Sequence, residues 1–133
     1  MHAVFLDYKT VDANDLDLGS IEALLPEIVV HSFSNQEEVL ARIEDAEVAI
    51  ANKVVFDANV FARATKLKLI CVTATGTNNI DLGAAKQSGV VVCNIRDYCT
   101  ESVVQHVLLS MLALMHSFKD YSASIENGDW QDG

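Results

Sequence analysis

The feature that most constrains this chain is its rhythm: short apolar runs, each followed by an amphipathic stretch. The runs are Ala3–Leu6, a second starting at Ile28–Val30, then Val48–Ala51, Leu67–Thr73 and Val90–Cys93. They are apolar at consecutive positions rather than at alternate ones, which marks strands covered on both faces, as in a parallel sheet. The stretches between them have helical spacing. Ile21–Leu25 is one, ended near Pro26; Glu37–Ile43 places Val39, Leu40 and Ile43 on one face; Val60–Ala64 is a third; Asp81–Ser88 is closed by Gly89, suited to a left-handed cap. Strand–helix alternation of this kind defines the α/β class.

Five strands within about a hundred residues predict a flavodoxin-like parallel sheet of order 2-1-3-4-5, with helices on both faces. After Tyr98 the rhythm stops. Ser102 to Gln105 has capping-box spacing, with Thr100 as a competing cap, and one long helix is expected to about Ile125, stopping at Gly128. Val103, Val107, Met111 and Met115 form one apolar stripe, and Val104, Leu108 and Leu112 a second. A helix at the surface of one small domain carries one stripe and a polar back. This one is apolar nearly all round, so a second domain or subunit should cover it. The expected division is a domain at 1–98 and a helical segment at 99–133.

Composition narrows the partners. The formal net charge of −10 repels nucleic acid and anionic membrane surfaces. A small anion remains acceptable, because salt screens the global field beyond about 8 Å. The run Val107–Met115 is interrupted by Ser110 and is far shorter than the ~20 residues of a membrane span. No signal peptide is visible, and a cytoplasmic protein is expected. Cys71, Cys93 and Cys99 form no C-x-x-C; Cys71 and Cys93, in apolar runs, are expected to be buried free thiols. No histidine pair has zinc-ligand spacing, so no metal site is expected.

Ligands of open parallel sheets bind beyond the carboxyl ends of the strands. Those ends deliver Asp7, then Asn52 and Lys53, then Thr73 to Gly76, then Asn94 and Ile95. The loop Ala74-Thr-Gly-Thr-Asn-Asn-Ile-Asp81 is the most informative. Gly76 lets a ligand approach the backbone, neighbouring N–H groups can point outward, and the next helix adds positive partial charge. Together these suit a carboxylate or phosphate oxygen. The plainer reading is a strand-to-helix turn capped by Asp81. Lys53 is either a cation facing the ligand or a solvated surface lysine. Asp7 is expected to cap the next segment or to hold a loop through backbone N–H bonds, rather than to act in catalysis. No G-x-G-x-x-G, P-loop or G-x-S-x-G occurs.

The loop 74–81, the segment Gly89-Val-Val-Val-Cys-Asn94, the helix start Glu101-Ser-Val-Val-Gln-His106 and the exit Gly128-Asp-Trp130 together resemble the D-isomer-specific 2-hydroxyacid dehydrogenases. Asn52-Lys-Val54 and Gln105 resemble most the glycerate dehydrogenase and hydroxypyruvate reductase branch. The resemblance spans essentially the whole chain. It implies a substrate-binding domain, then a long helix that crosses to an NAD-binding domain and takes part in a homodimer. It implies that Thr75 and Gly76 present N–H groups to the carboxylate of a small 2-hydroxy or 2-keto acid, with Lys53 and Asn79 at the substrate. Val103 would lie against the nicotinamide of NAD or NADP. The arginine, glutamate and histidine that bind and protonate substrate in that family match no position here. Neither does its glycine fingerprint, so no catalytic residue is assigned. The chain is expected to be an amino-terminal fragment, inactive alone and holding no cofactor tightly, of an oxidoreductase moving hydride between nicotinamide and C2 of the acid.

Two other readings share the fold: a stand-alone carboxylate-binding module and an oligomerisation module. A receiver domain is excluded by Asn52 and Lys53, where it needs a phosphorylatable aspartate. A flavodoxin is excluded by Asp7-Tyr-Lys-Thr-Val-Asp12, which supplies no phosphate loop.

Overall fold

The computed structural model describes residues 1–132, and the side chains of all of these except Trp130 and Asp132. The Trp130 ring of the exit motif therefore lies outside the described side chains. The chain forms two compact units that meet between Arg96 and Asp97, against an expected division at 98 and 99.

In the first unit the five apolar runs become strands: β1 (Ala3–Phe5), β2 (Ile28–Val30), β3 (Val48–Ala51), β4 (Leu69–Val72) and β5 (Val91–Asn94). They form one parallel sheet of order β2-β1-β3-β4-β5, as expected. Four helices connect them: α1 (Gly19–Leu24), α2 (Gln36–Ile43), α3 (Ala58–Arg63) and α4 (Leu82–Gln87). Asp57 and Asp81 cap α3 and α4 by accepting from the Val60 and Ala84 N–H groups, each at 2.9 Å. Asn35 and Glu38 form a capping box on α2 that sequence reading passed over. Each such cap is worth about 1 kcal/mol. Gly89, at φ +73°, closes α4 in the left-handed conformation that favours glycine.

Strand alternation sorts the core. Val4, Ala49, Ala51, Ile70 and Val72 point to one face, where Val39 and Ile43 of α2, Val60 and Phe61 of α3 and Ala85 of α4 pack. On the opposite face burial falls from centre to edge. Ala3, Phe5, Val48 and Ile50 are buried, Leu69 and Cys71 are half-buried, and Val91 and Cys93 are exposed. This corrects the expectation of two buried thiols. Cys71 and Cys93 lie on the face away from α2–α4, and β5 is an edge strand. All three cysteines are free.

The second unit is helical. The single long helix expected to Ile125 is instead α5 (Thr100–Met115), α6 (Phe118–Glu126) and a short α7 (Asp129–Asp132). The break is at Ser117, whose φ of +45° is left-handed. The His116 N–H closes α5 on the Leu112 carbonyl and the Ser117 N–H on that of Leu114, and the Ser117 carbonyl accepts from Asp120 and Tyr121 to restart the chain as α6. The expected cap at Ser102 or Thr100 is also corrected: the N-cap residue is Cys99, without a side-chain cap bond. Gly128, at φ +81°, follows α6 as expected. Along α5 the apolar residues of both stripes, Val103, Val104, Val107, Leu108, Met111 and Leu112 among them, are exposed. No helix among the described residues is long and apolar enough to cross a membrane, and no group of His, Cys, Asp or Glu there could hold a metal ion.

Candidate functional site at the carboxyl end of the sheet

The site begins with Asp7, which follows β1 and is buried. One carboxylate oxygen accepts the Asn52 N–H at 2.9 Å; the other accepts those of Lys53 at 2.6 Å and Val54 at 3.3 Å. The expected role of Asp7, holding a loop through backbone bonds, is what the geometry shows. Its charge is spent on the β3 loop, and the main chain of Lys53 is fixed. Asn52 is also buried; its amide donates to the Thr10 hydroxyl at 3.0 Å, and that hydroxyl donates back to the Asp7 carbonyl at 2.7 Å.

A second set of bonds ties the β3 loop to the β4 loop. The Asn79 side-chain amide donates to the carbonyls of Val54 at 2.7 Å and Asn52 at 3.3 Å. The Phe56 N–H donates to the Asn79 carbonyl, and the Asp81 N–H to the Phe56 carbonyl, both at 2.8 Å. Asn79 is thus a brace of the cleft wall, with its amide committed to main chain. From the far side, the Asn94 amide donates to the Thr75 carbonyl at 2.7 Å, and the Ile95 N–H to that of Ala74 at 3.1 Å. Sequence reading placed Asn52 and Asn94 at strand ends but did not see these bonds. Their signal was an amide side chain at or just past the end of a strand, where it can reach the neighbouring loop.

Between these braces lies a pocket of ≈ 200 Å³ lined by Asn52, Lys53, Ala74, Gly76, Asn78 and Asn79. It is smaller than the ~300–1,000 Å³ that drug-sized ligands occupy, and suits a small molecule. Its lining holds one cation and no carboxylate. Lys53 is exposed and forms no ion pair among the described residues. Thr75 and Gly76 are exposed residues, and their N–H groups donate to no described residue. Gly76 does not have a positive φ, so backbone conformation does not require glycine there; a Cβ would meet the Asn78 side-chain oxygen at 3.1 Å. The Asn78 side chain would have to give by a few tenths of an ångström to admit it. Helix α4 adds less than the sequence suggested. It has six residues and begins six positions after Gly76, and Asp81 already occupies the Ala84 N–H. A helix-end charge fades within a turn, so the donors at hand are loop amides and the Lys53 ammonium.

The structure therefore brings Lys53, Gly76 and Asn79 together. Thr75 adjoins them in the loop without lining the pocket, and Val103 lies in the second unit, on α5.

An open parallel sheet with a polar, acid-free pocket at its carboxyl end defines a small-ligand domain of the α/β class. Residues 4–127 match the model of the D-isomer specific 2-hydroxyacid dehydrogenase catalytic domain, and the chain belongs to that family. It is 37% identical over 127 residues to a glycerate dehydrogenase of Methylorubrum extorquens, covering 96% of this chain and 40% of that protein. It is 34% identical to a hydroxypyruvate reductase of Blautia hydrogenotrophica, covering 98% of this chain and 41% of that protein. The chain thus spans about two fifths of the length of these curated relatives. Among solved structures, the NAD+-bound 3-phosphoglycerate dehydrogenase of Entamoeba histolytica superposes with a TM-score of 0.62 at 28% identity, over 71% of this chain and 32% of that one.

Proposed function

We propose that these 133 residues supply the substrate-carboxylate site of an oxidoreductase acting on a small D-2-hydroxy acid and its 2-keto partner, of the glycerate, hydroxypyruvate or glyoxylate kind. The observation that carries this reading is the pair of uncommitted amides at Thr75 and Gly76, beside the one cation of an acid-free pocket. A carboxylate oxygen there accepts from the Gly76 loop, and the Lys53 ammonium balances its charge. Asn79, Asn94 and Asp7 hold the two loops in place, so little ordering remains to be done when the ligand arrives.

The residues present do not fit a dinucleotide. The six glycines, at positions 19, 76, 83, 89, 128 and 133, form no phosphate-cradling fingerprint. NAD or NADP is accordingly the cofactor of the whole enzyme, with Val103 at its nicotinamide, and this chain holds neither tightly. Residues 1–98 are the substrate-binding domain and 99–133 lead toward the cofactor domain. The reading includes a homodimer formed through the 101–125 region, supported by the apolar surface that α5 exposes, and a cytoplasmic setting.

Calorimetry on the chain with hydroxypyruvate, glycerate and neutral glycerol tests the proposal. Both acids bind, glycerol does not, and Lys53→Met weakens the acids about tenfold, as loss of a charge-assisted hydrogen bond of ~1.5–3 kcal/mol requires. Equal affinity for glycerol, or none for any acid, contradicts it. The chain with NADH and hydroxypyruvate shows no turnover.

A further inference from the structure

Cys71 and Cys93 are register partners on the adjacent parallel strands β4 and β5. Register partners point to the same face, here the one turned away from α2–α4. Strand spacing separates their Cα atoms by about 4.8 Å, inside the ~4.4–6.8 Å range of disulfides. Their Cβ atoms, at a similar separation, lie slightly beyond the ~3.5–4.5 Å of a relaxed bond. The strand β5 is bonded to β4 alone among the strands, so a small shift of this edge strand would have to close that gap. Cys93 is exposed and Cys71 is half-buried behind it, so one thiol meets solvent and the other can resolve an adduct.

We infer that Cys71 and Cys93 form a dithiol modification site that exchanges with small disulfides of the glutathione type to give a cross-strand disulfide. The Cys93 thiol loses its proton to solvent, and its sulfur attacks one sulfur of glutathione disulfide. The Cys93–glutathione bond forms, the glutathione S–S bond breaks, and one glutathione thiolate leaves and is protonated. The Cys71 thiol then loses its proton, and its sulfur attacks Cys93 Sγ. The Cys71–Cys93 bond forms and the second glutathione leaves as thiolate. Two protein thiols are oxidised and one glutathione disulfide is reduced to two thiols. Burial, with a smaller push from Cys93 beside it, raises the Cys71 thiol above its ordinary range. Attack by Cys71 therefore quickens with alkalinity. The new bond would lie directly below Asn94, whose amide holds the Thr75 carbonyl. The chemistry is independent of what the Thr75 loop binds.

The test equilibrates the 133-residue chain with glutathione and its disulfide, quenches with an alkylating reagent, and maps cysteine-containing peptides by mass spectrometry, in buffer and in denaturing urea. The Cys71–Cys93 cross-link is expected to dominate in buffer. Its effective concentration should exceed the urea value by at least about tenfold, because an unfolded connector of this length gives only about millimolar. The Cys71→Ser variant is expected to stop at a glutathione adduct on Cys93. A wild-type chain that accumulates that adduct, a Cys93–Cys99 pairing, or a cross-link no more favoured in buffer than in urea overturns the inference.

Discussion

Replacing Asp7 by asparagine tests the architecture beneath the pocket. The carboxylate accepts three main-chain N–H groups, at 2.9, 2.6 and 3.3 Å, while 3% exposed. Asparagine has nearly the same shape but only one acceptor oxygen. Whichever way its amide turns, an NH2 group faces the N–H of Asn52 or that of Lys53. The variant loses at least one charge-assisted bond, ~1.5–3 kcal/mol, and leaves a buried donor unpaired, ~1–3 kcal/mol. Taking the low end of each gives about 2.5 kcal/mol, against a total of roughly 5–14 kcal/mol for a unit of this size. Urea unfolding followed by far-ultraviolet circular dichroism should show the midpoint falling by about 1–2 M with an unchanged slope. Acid binding should weaken as well, because the main chain of Lys53 loses its anchor. A loss under about 0.5 kcal/mol, the range of ordinary surface changes, would refute the reasoning.

Further expectations follow from single contacts. Gly76→Ala leaves stability within about 0.5 kcal/mol, since no positive φ is involved, but its methyl crowds Asn78 and lowers acid affinity about tenfold; equal affinity in calorimetry contradicts this. The Lys9 ammonium, and then the N–H groups of Leu16 and Asp15, hold the Asp12 carboxyl down to about 2. Its folded value lies below its unfolded value of 3.8, so its stabilising contribution is present above that pH and is lost as pH falls toward 2. Carboxyl NMR should place its midpoint near 2 in the wild type and in the ordinary aspartate range in Lys9→Met. Leu108→Glu with Leu112→Glu should convert a sedimenting dimer to monomer, and a dimer that persists removes α5 from the interface.

Much of this molecule was legible because its information is local. Consecutive apolar residues at 28–30, 48–51 and 90–93 state a strand of a parallel sheet, and Gly89 states a helix end. Asp7 was readable as a loop holder because a carboxylate just past a strand can accept the main-chain N–H groups of the neighbouring loop. The failures are of a different kind. The break at Ser117 carries no proline or glycine, and a serine with positive φ is a conformation that sequence does not announce. The exposure of Cys93 depends on which strand is the edge and which face the helices choose, both global properties. The braces by Asn79 and Asn94 required knowing which loops become neighbours, and in them a residue expected at the ligand proved to bond main chain as well.

The most direct measurement is a 15N-labelled NMR titration of the chain with D-glycerate, reading the amide signals of Thr75 and Gly76. The account predicts that both move saturably with the acid, the Lys53 signals with them, and that glycerol at the same concentration leaves all of them in place. Signals from that turn that stay still while others respond, or that respond equally to glycerol, would mean that the carboxylate is received elsewhere.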